Sequence, residues 1–221
     1  MIRGLLLDFY GTVVEDDDTT MLAIADRVAA GSPGRPSGLE VLADWEREYA
    51  ALADGTPFRT LRECAGKSLA TVMAAHRCPG DPAEFAAAQF RPGDVLPLRP
   101  GTRKFLAMVD LPICIVSDAD HEVLSAAIAH HGLTFRAVVC SERVRAYKPD
   151  AAMFREGMAA LGLQAHEVMH VGDSLRSDIA GAGAAGIRSV WVNRKGAPAE
   201  EGAAADHVIA DLSELTAYLP G

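Results

Sequence analysis

Asp8 follows the apolar run Leu5-Leu6-Leu7, and Gly11 and Thr12 come directly after it. A short apolar run of this kind reads as a buried strand, and Gly11 permits a tight turn at its end. A carboxylate at the C-terminal edge of a parallel strand lies where open α/β sheets hold their ligands. Three further polar groups follow apolar runs in the same way. Ser117-Asp118 ends Leu111 to Val116, Lys148 lies in a loop after Ala137 to Cys140, and Asp173 and Asp178 follow Val168 to Val171. Their types suit one task. A carboxylate can attack phosphorus or carbon and form a covalent aspartyl intermediate. Two or three oxygens can hold a divalent cation, and Mg²⁺ suits a site of this kind. A lysine and a hydroxyl can hold a transferred phosphoryl group and balance its charge.

Positioning such groups requires strands that alternate with helices. From Gly101 onward they do. Arg103 to Met108, the stretch through Val123 to Ile128, the stretch through Phe154 to Leu161 and the stretch through Ile179 to Ala185 read as helices. The strands between and after them include Ser189 to Val192 and His207 to Ile209. This alternation implies right-handed βαβ units and a parallel sheet covered on both faces. Residues 15–92 read differently, as helices with no strand signal. Ser37 and Glu40 form a capping box, Leu42, Trp45, Tyr49 and Leu52 recur at helical spacing, and Asp81-Pro82-Ala83-Glu84 opens a further helix. Met21 to Ala30 and Leu61 to Ala75 complete four helices. The expected fold is therefore α/β: a Rossmann-like parallel sheet core, residues 1–14 and 93–221, with a small helical bundle inserted at 15–92. The proline-rich stretch from Arg91-Pro92 to Arg99-Pro100 closes the insert, and residues 197–205 form a low-complexity connector.

Composition narrows the classes of function. The net charge of −9 disfavours binding to nucleic acid or an anionic membrane, so an anionic substrate needs local help from a cation or backbone N–H groups. No apolar run approaches the roughly 20 residues of a membrane span. A strand ending in a charged turn is not a secretory signal. Cys64, Cys78, Cys114 and Cys140 lie far apart without a Cys-x-x-Cys pair, and read as reduced thiols of a cytoplasmic protein. A monomer or homodimer acting on a small anionic molecule is expected.

The ordered set of strand-end residues resembles the haloacid dehalogenase-like hydrolase superfamily. Asp8-Phe9-Tyr10-Gly11-Thr12, Val116-Ser117-Asp118, Lys148-Pro149 and Gly172 to Asp178 look like its four motifs in order, and the insert looks like its helical cap of the first type. The resemblance implies a strand order like 5-4-1-2-3 and a cap that closes over the strand ends. It makes Asp8 the nucleophile, with Gly11, Thr12, Ser117, Asp118 and Lys148 around the transferred group. Mg²⁺ would be held by Asp8, the Tyr10 carbonyl and Asp173, with Asp178 in support.

Tyr10 departs from the pattern. Phosphatases of the superfamily usually carry there a second aspartate, which protonates the leaving oxygen and later activates water. A phenol with a pKa of about 10 is a poor substitute. Dehalogenases of the superfamily have tyrosine at this place but usually lack the paired acids that this chain keeps as Asp173 and Asp178. The metal motif outweighs the tyrosine, and Mg²⁺-dependent phosphoryl chemistry is the expected activity, on an ester, an anhydride or a phosphorus–carbon bond. The alternatives are 2-haloacid dehalogenation and a non-catalytic binding protein. Asp118 and Asp120 are candidates for the missing acid. Other residues read as structural: His170 as a core histidine, His130-His131 at a helix end, Glu15 to Asp18 as a solvated hinge, Trp45 and Tyr49 as cap core, and Arg59, Arg62, Lys67 and Arg176 as surface.

Overall fold

The first strand, β1 (Gly4–Leu7), is entirely buried and lies in the middle of a six-stranded sheet. The computed structural model describes residues 1–90, 95–198 and 204–219. The far edge of the insert at 91–94 and most of the 197–205 connector lie outside the described residues. Five further strands, β2 (Ile113–Ser117), β3 (Ala137–Cys140), β4 (Val168–Gly172), β5 (Arg188–Val192) and β6 (His207–Ile209), give the order β3-β2-β1-β4-β5-β6. Every neighbouring pair is parallel. This is the expected order with β6 added at one edge. The register pairs Leu7 with Ile115 and with Val171, so the residues after β1, β2 and β4 emerge at one end of the sheet.

By internal contacts the chain forms two compact units, one of Met1–Glu15, Leu96–Asp118 and Ile128–Gly221, the other of Asp16–Val95 and Ala119–Ala127. In the sheet unit, Leu6, Cys114, Val116, Val139, Met153 and Phe154 share one buried cluster. The helix Ala151–Leu161 lies against the sheet at Gly157, where an added Cβ would stand 2.8 Å from Val116 Cγ2 and 3.1 Å from Leu6 Cδ2. Glycine lets helix and strand approach this closely.

The helical unit contains α1 (Asp18–Gly31), α2 (Gly38–Ala53), α3 (Leu61–Ala75) and the short α4 (Pro82–Ala86), followed by a tighter turn at Ala87–Phe90. The Ser37–Glu40 capping box is present, and a second one joins Thr60 and Glu63. Trp45 is fully buried among Ile24, Val28, Val41, Leu69 and Val72, and its indole N–H donates to Ser68 Oγ at 2.8 Å. Apolar spacing in α2 therefore does mark the packed face. The acidic run preceding α1 is less solvated than its composition suggests. Glu15 pairs with Arg99 at 2.9 Å, and Asp17 Oδ2 accepts from Gln89 Nε2 at 2.6 Å. Burial raises the Asp17 carboxyl above the ordinary carboxylate value.

Candidate active site

Asp8 leaves β1 at the sheet's C-terminal end, and its backbone N–H donates to Val171 O at 2.9 Å. The chain then turns through Gly11, whose φ of +84° lies in the left-handed region. A Cβ at Gly11 would lie 2.5 Å from Asp173 Oδ2, so the absent side chain is what lets the Asp173 carboxylate approach the turn. Thr12 is buried, and its Oγ1 stands 3.4 Å from Asp173 Oδ1. Tyr10 lies between Asp8 and this turn, with its ring edge-on to Phe9 at 5.2 Å and its hydroxyl oxygen enclosed by protein.

β2 delivers Ser117 and Asp118. Ser117 Oγ is buried and has no hydrogen-bond partner among the described residues. Asp118 Oδ1 accepts the backbone N–H of Lys148 at 2.9 Å, which ties the end of β2 to the loop carrying the lysine. Burial pushes the Asp118 carboxyl up to about 6, against the pull of Lys148. Asp120, two residues on, is occupied differently. Its two oxygens accept the N–H groups of Leu61 and Arg62 at 2.8 and 3.1 Å, at the start of α3.

Lys148 is the hinge of the electrostatics. Its Nζ lies 2.6 Å from Asp8 Oδ1 and 2.6 Å from Asp178 Oδ1, all three groups being buried. Burial works against the ammonium, but Asp178, Asp8 and Asp118 outweigh it and hold the lysine charged. The Asp8 carboxyl is held well above its ordinary value by burial and by Asp178 and Asp173, despite Lys148. Asp173 is raised by burial and by Asp178. Asp178 goes the other way. Burial opposes its charge, yet Lys148 and His170 keep it below the usual carboxylate range.

The turn after β4 explains how Asp178 comes inward. The N–H groups of Asp178 and Ile179 both reach Ser174 O, at 2.9 and 3.1 Å, so residues Leu175–Ile179 form a widened π-type turn ahead of a short regular helix at Ala180–Ala184. The regular helix expected there is thus shortened. Asp178 Oδ2 then accepts Ser174 N–H at 3.0 Å while Oδ1 faces Lys148. Asp173 is placed by its own carbonyl, which accepts the Trp191 indole N–H at 2.8 Å. Arg176 is exposed.

Asp8, Asp173 and Asp178 can each turn an oxygen to a common point, the three atoms lying within 4.8 Å of one another. All donors are carboxylate oxygens, the hard ligands that a Mg²⁺-like cation takes, and their joint negative charge exceeds that of the single ammonium among them. The residues therefore fit a divalent cation. His170, expected as a core histidine, is fully buried with its ring edge-on to Phe154, and its Nε2 lies 2.9 Å from Asp178 Oδ1, a contact the sequence does not reveal. Sequence reasoning also missed Arg194, whose Nη2 donates to Thr12 O at 3.1 Å.

Residues 2–186 match the family model of the haloacid dehalogenase-like hydrolases. The chain belongs to that family. This hydrolase is 34% identical over 186 residues to the phosphoserine phosphatase of Thermus thermophilus, covering 80% of the chain and 68% of that enzyme. It is 33% identical over 106 residues to (S)-2-haloacid dehalogenase 4A of Burkholderia cepacia, covering 47% of the chain and 46% of that protein. Its fold superposes on L-2-haloacid dehalogenase from Xanthobacter autotrophicus with a TM-score of 0.75 at 24% identity, over 97% of both chains. The hydrolase thus has both phosphatases and dehalogenases among its relatives. Among its described residues no helix is long and apolar enough to cross a membrane.

Proposed function

We propose that this hydrolase is a Mg²⁺-dependent phosphatase of small anionic metabolites, working in the cytoplasm through an aspartyl-phosphate. The observation that carries the reading is the convergence of Asp8, Asp173 and Asp178 on one point beside Lys148. Attack on carbon by a carboxylate needs no such set, and two extra acids beside the nucleophile would only repel it. In this reading Asp8 attacks phosphorus, the ester oxygen departs, and water hydrolyses the aspartyl-phosphate. Lys148 balances charge on Asp8 and on the transferred group, while Ser117 Oγ and Thr12 hold phosphoryl oxygens. A bound divalent cation, held by Asp8, Asp173 and the Tyr10 carbonyl with Asp178 in support, would neutralise nucleophile and phosphate together. The phosphoserine phosphatase relative supports phosphate as the group removed, and four free buried cysteines support a reducing compartment.

Tyr10 favours a second reading, 2-haloacid dehalogenation, because halide leaves without a proton. The two part on one assay: phosphate release from a phosphoester panel and halide release from 2-haloacids, each with Mg²⁺ and with EDTA. Phosphate release that requires Mg²⁺ and is lost in Asp8→Asn is the expected result. Halide release indifferent to EDTA would overturn it.

A further inference from the structure

We propose that Asp118 is the general acid and base of this site, taking the place left by Tyr10. The inference rests on the phosphatase reading above. A phosphate ester of an ordinary alcohol leaves as a strongly basic oxygen, so some group must deliver a proton to it. Tyr10 is unsuited, because its hydroxyl is enclosed by protein as well as weakly acidic. Asp120 is unsuited, because both its oxygens are held by backbone N–H groups of α3. Asp178 is spoken for by Lys148, His170 and Ser174.

Asp118 has what the others lack. One oxygen, Oδ1, is anchored by Lys148 N–H at 2.9 Å, which fixes the carboxyl group. The other, Oδ2, accepts no hydrogen bond among the described residues, and the residue as a whole is only partly buried. Its place in the sheet is also suitable. Continuing the β1–β2 register, Asp8 is level with Val116, and Asp118 comes two residues later, in the bend just past the C-terminal end of β2. A phosphoryl group lying between Asp8 and the orphaned Ser117 hydroxyl would carry its leaving oxygen on that outer side. The carboxyl, pushed up to about 6, keeps a protonated fraction at neutral pH and is a competent base once ionised.

In the first step the Asp8 oxygen–phosphorus bond forms and the phosphorus–ester oxygen bond breaks. The electron pair goes to the ester oxygen, which takes the proton from Asp118 Oδ2. In the second, the Asp118 carboxylate takes a proton from water as that water's oxygen bonds phosphorus and the Asp8 oxygen–phosphorus bond breaks. Alcohol and phosphate leave, and both aspartates return to their starting forms.

The test compares wild type with Asp118→Asn, in Mg²⁺, on n-butyl phosphate and p-nitrophenyl phosphate. Asparagine keeps an oxygen for Lys148 N–H, and a thermal melt checks the fold. Butyl phosphate turnover is expected to fall by about a hundredfold or more. p-Nitrophenol, which departs unprotonated, is expected as a fast burst of about one equivalent per enzyme, followed by slow turnover because dephosphorylation has lost its base. Equal losses on both esters with no burst, or undiminished butyl phosphate hydrolysis, would overturn the assignment. A wild-type protein inert to both esters would instead bring down the phosphatase reading, and the acid with it.

Discussion

Lys148 and Asp178 form an enclosed ion pair, Nζ 2.6 Å from Oδ1, and the same ammonium meets Asp8 at the same distance on its other side. The Asp178 carboxylate, 1 % exposed, cannot turn to water instead. Replacing Lys148 by methionine keeps most of the volume and removes the charge, leaving Asp8 and Asp178 without their shared cation and Asp118 without its compensating charge, although His170, Ser174 N–H and the residue-148 N–H still donate to Asp178 and Asp118. The cost expected near pH 7 is about 3–5 kcal/mol, or roughly 6–20 °C of melting temperature for a chain of this size. Protonation relieves the repulsion, so the gap between wild type and Lys148→Met should narrow as pH falls from 7 to 5. A gap of equal size at both pH values would show that packing, not charge, is what the lysine supplies.

Asp173 approaches the turn after β1 only because residue 11 has no side chain. Mg²⁺ at about a hundred times its dissociation constant should stabilise the folded protein by about 2.7 kcal/mol, roughly 5–10 °C. Asp173→Asn should abolish most of that shift. Gly11→Ala should abolish it too, although it removes no ligand, because the methyl group displaces the Asp173 carboxylate and strains a backbone at φ +84°. An undiminished Mg²⁺ shift in Gly11→Ala would mean that Asp173 has no part in holding the cation.

The fold and the convergent acids were legible because each depends on local signals. Apolar runs that stop at Asp8, Ser117 and Gly172 mark strand ends, and parallel pairing then brings those ends together. Helix caps such as Ser37 and Glu40 are three residues apart and visible in any window. What stayed hidden depends on distance along the chain. Arg194 holds the carbonyl of Thr12 across 182 residues, and no periodicity encodes that contact. Asp120 offered the right residue type near the right strand, but its carboxylate is taken by a helix that begins at Leu61. His170 alternates with apolar neighbours like any core residue. Its role becomes visible only when the π-type turn swings Asp178 back over β4.

That histidine gives a further prediction. His170 lies between Asp178 and the ring of Phe154, so phenylalanine at 170 keeps the packing and deletes the contact with the carboxylate. A buried acceptor that loses one of its partners costs about 1–3 kcal/mol. His170→Phe should melt roughly 2–12 °C lower than wild type. His170→Gln, with an amide donor of similar reach, should recover part of the difference. If glutamine were no better than phenylalanine, the histidine would be a space-filling residue and its contact with Asp178 incidental.

Asp118 makes stability depend on pH in a direction opposite to that of a salt-bridged carboxylate. Its folded carboxyl is pushed up to about 6 from an ordinary 3.8, so between those values the folded protein binds a proton that the unfolded chain has released. Stability therefore falls as pH rises through that window and levels off above it. The full difference corresponds to about 3 kcal/mol at neutral pH. Asp8 and Asp17, raised by burial as well, add slopes of the same sign, so the wild-type curve alone cannot isolate Asp118. The comparison with Asp118→Asn can. Asparagine carries no titrating proton and still accepts from Lys148 N–H, so the variant should match wild type near pH 4 and be the more stable of the two near pH 7. Denaturant melts at pH 4, 5, 6 and 7 would trace the divergence. Parallel curves would place the Asp118 carboxyl at its ordinary value, and would leave it ionised and unable to donate a proton at neutral pH.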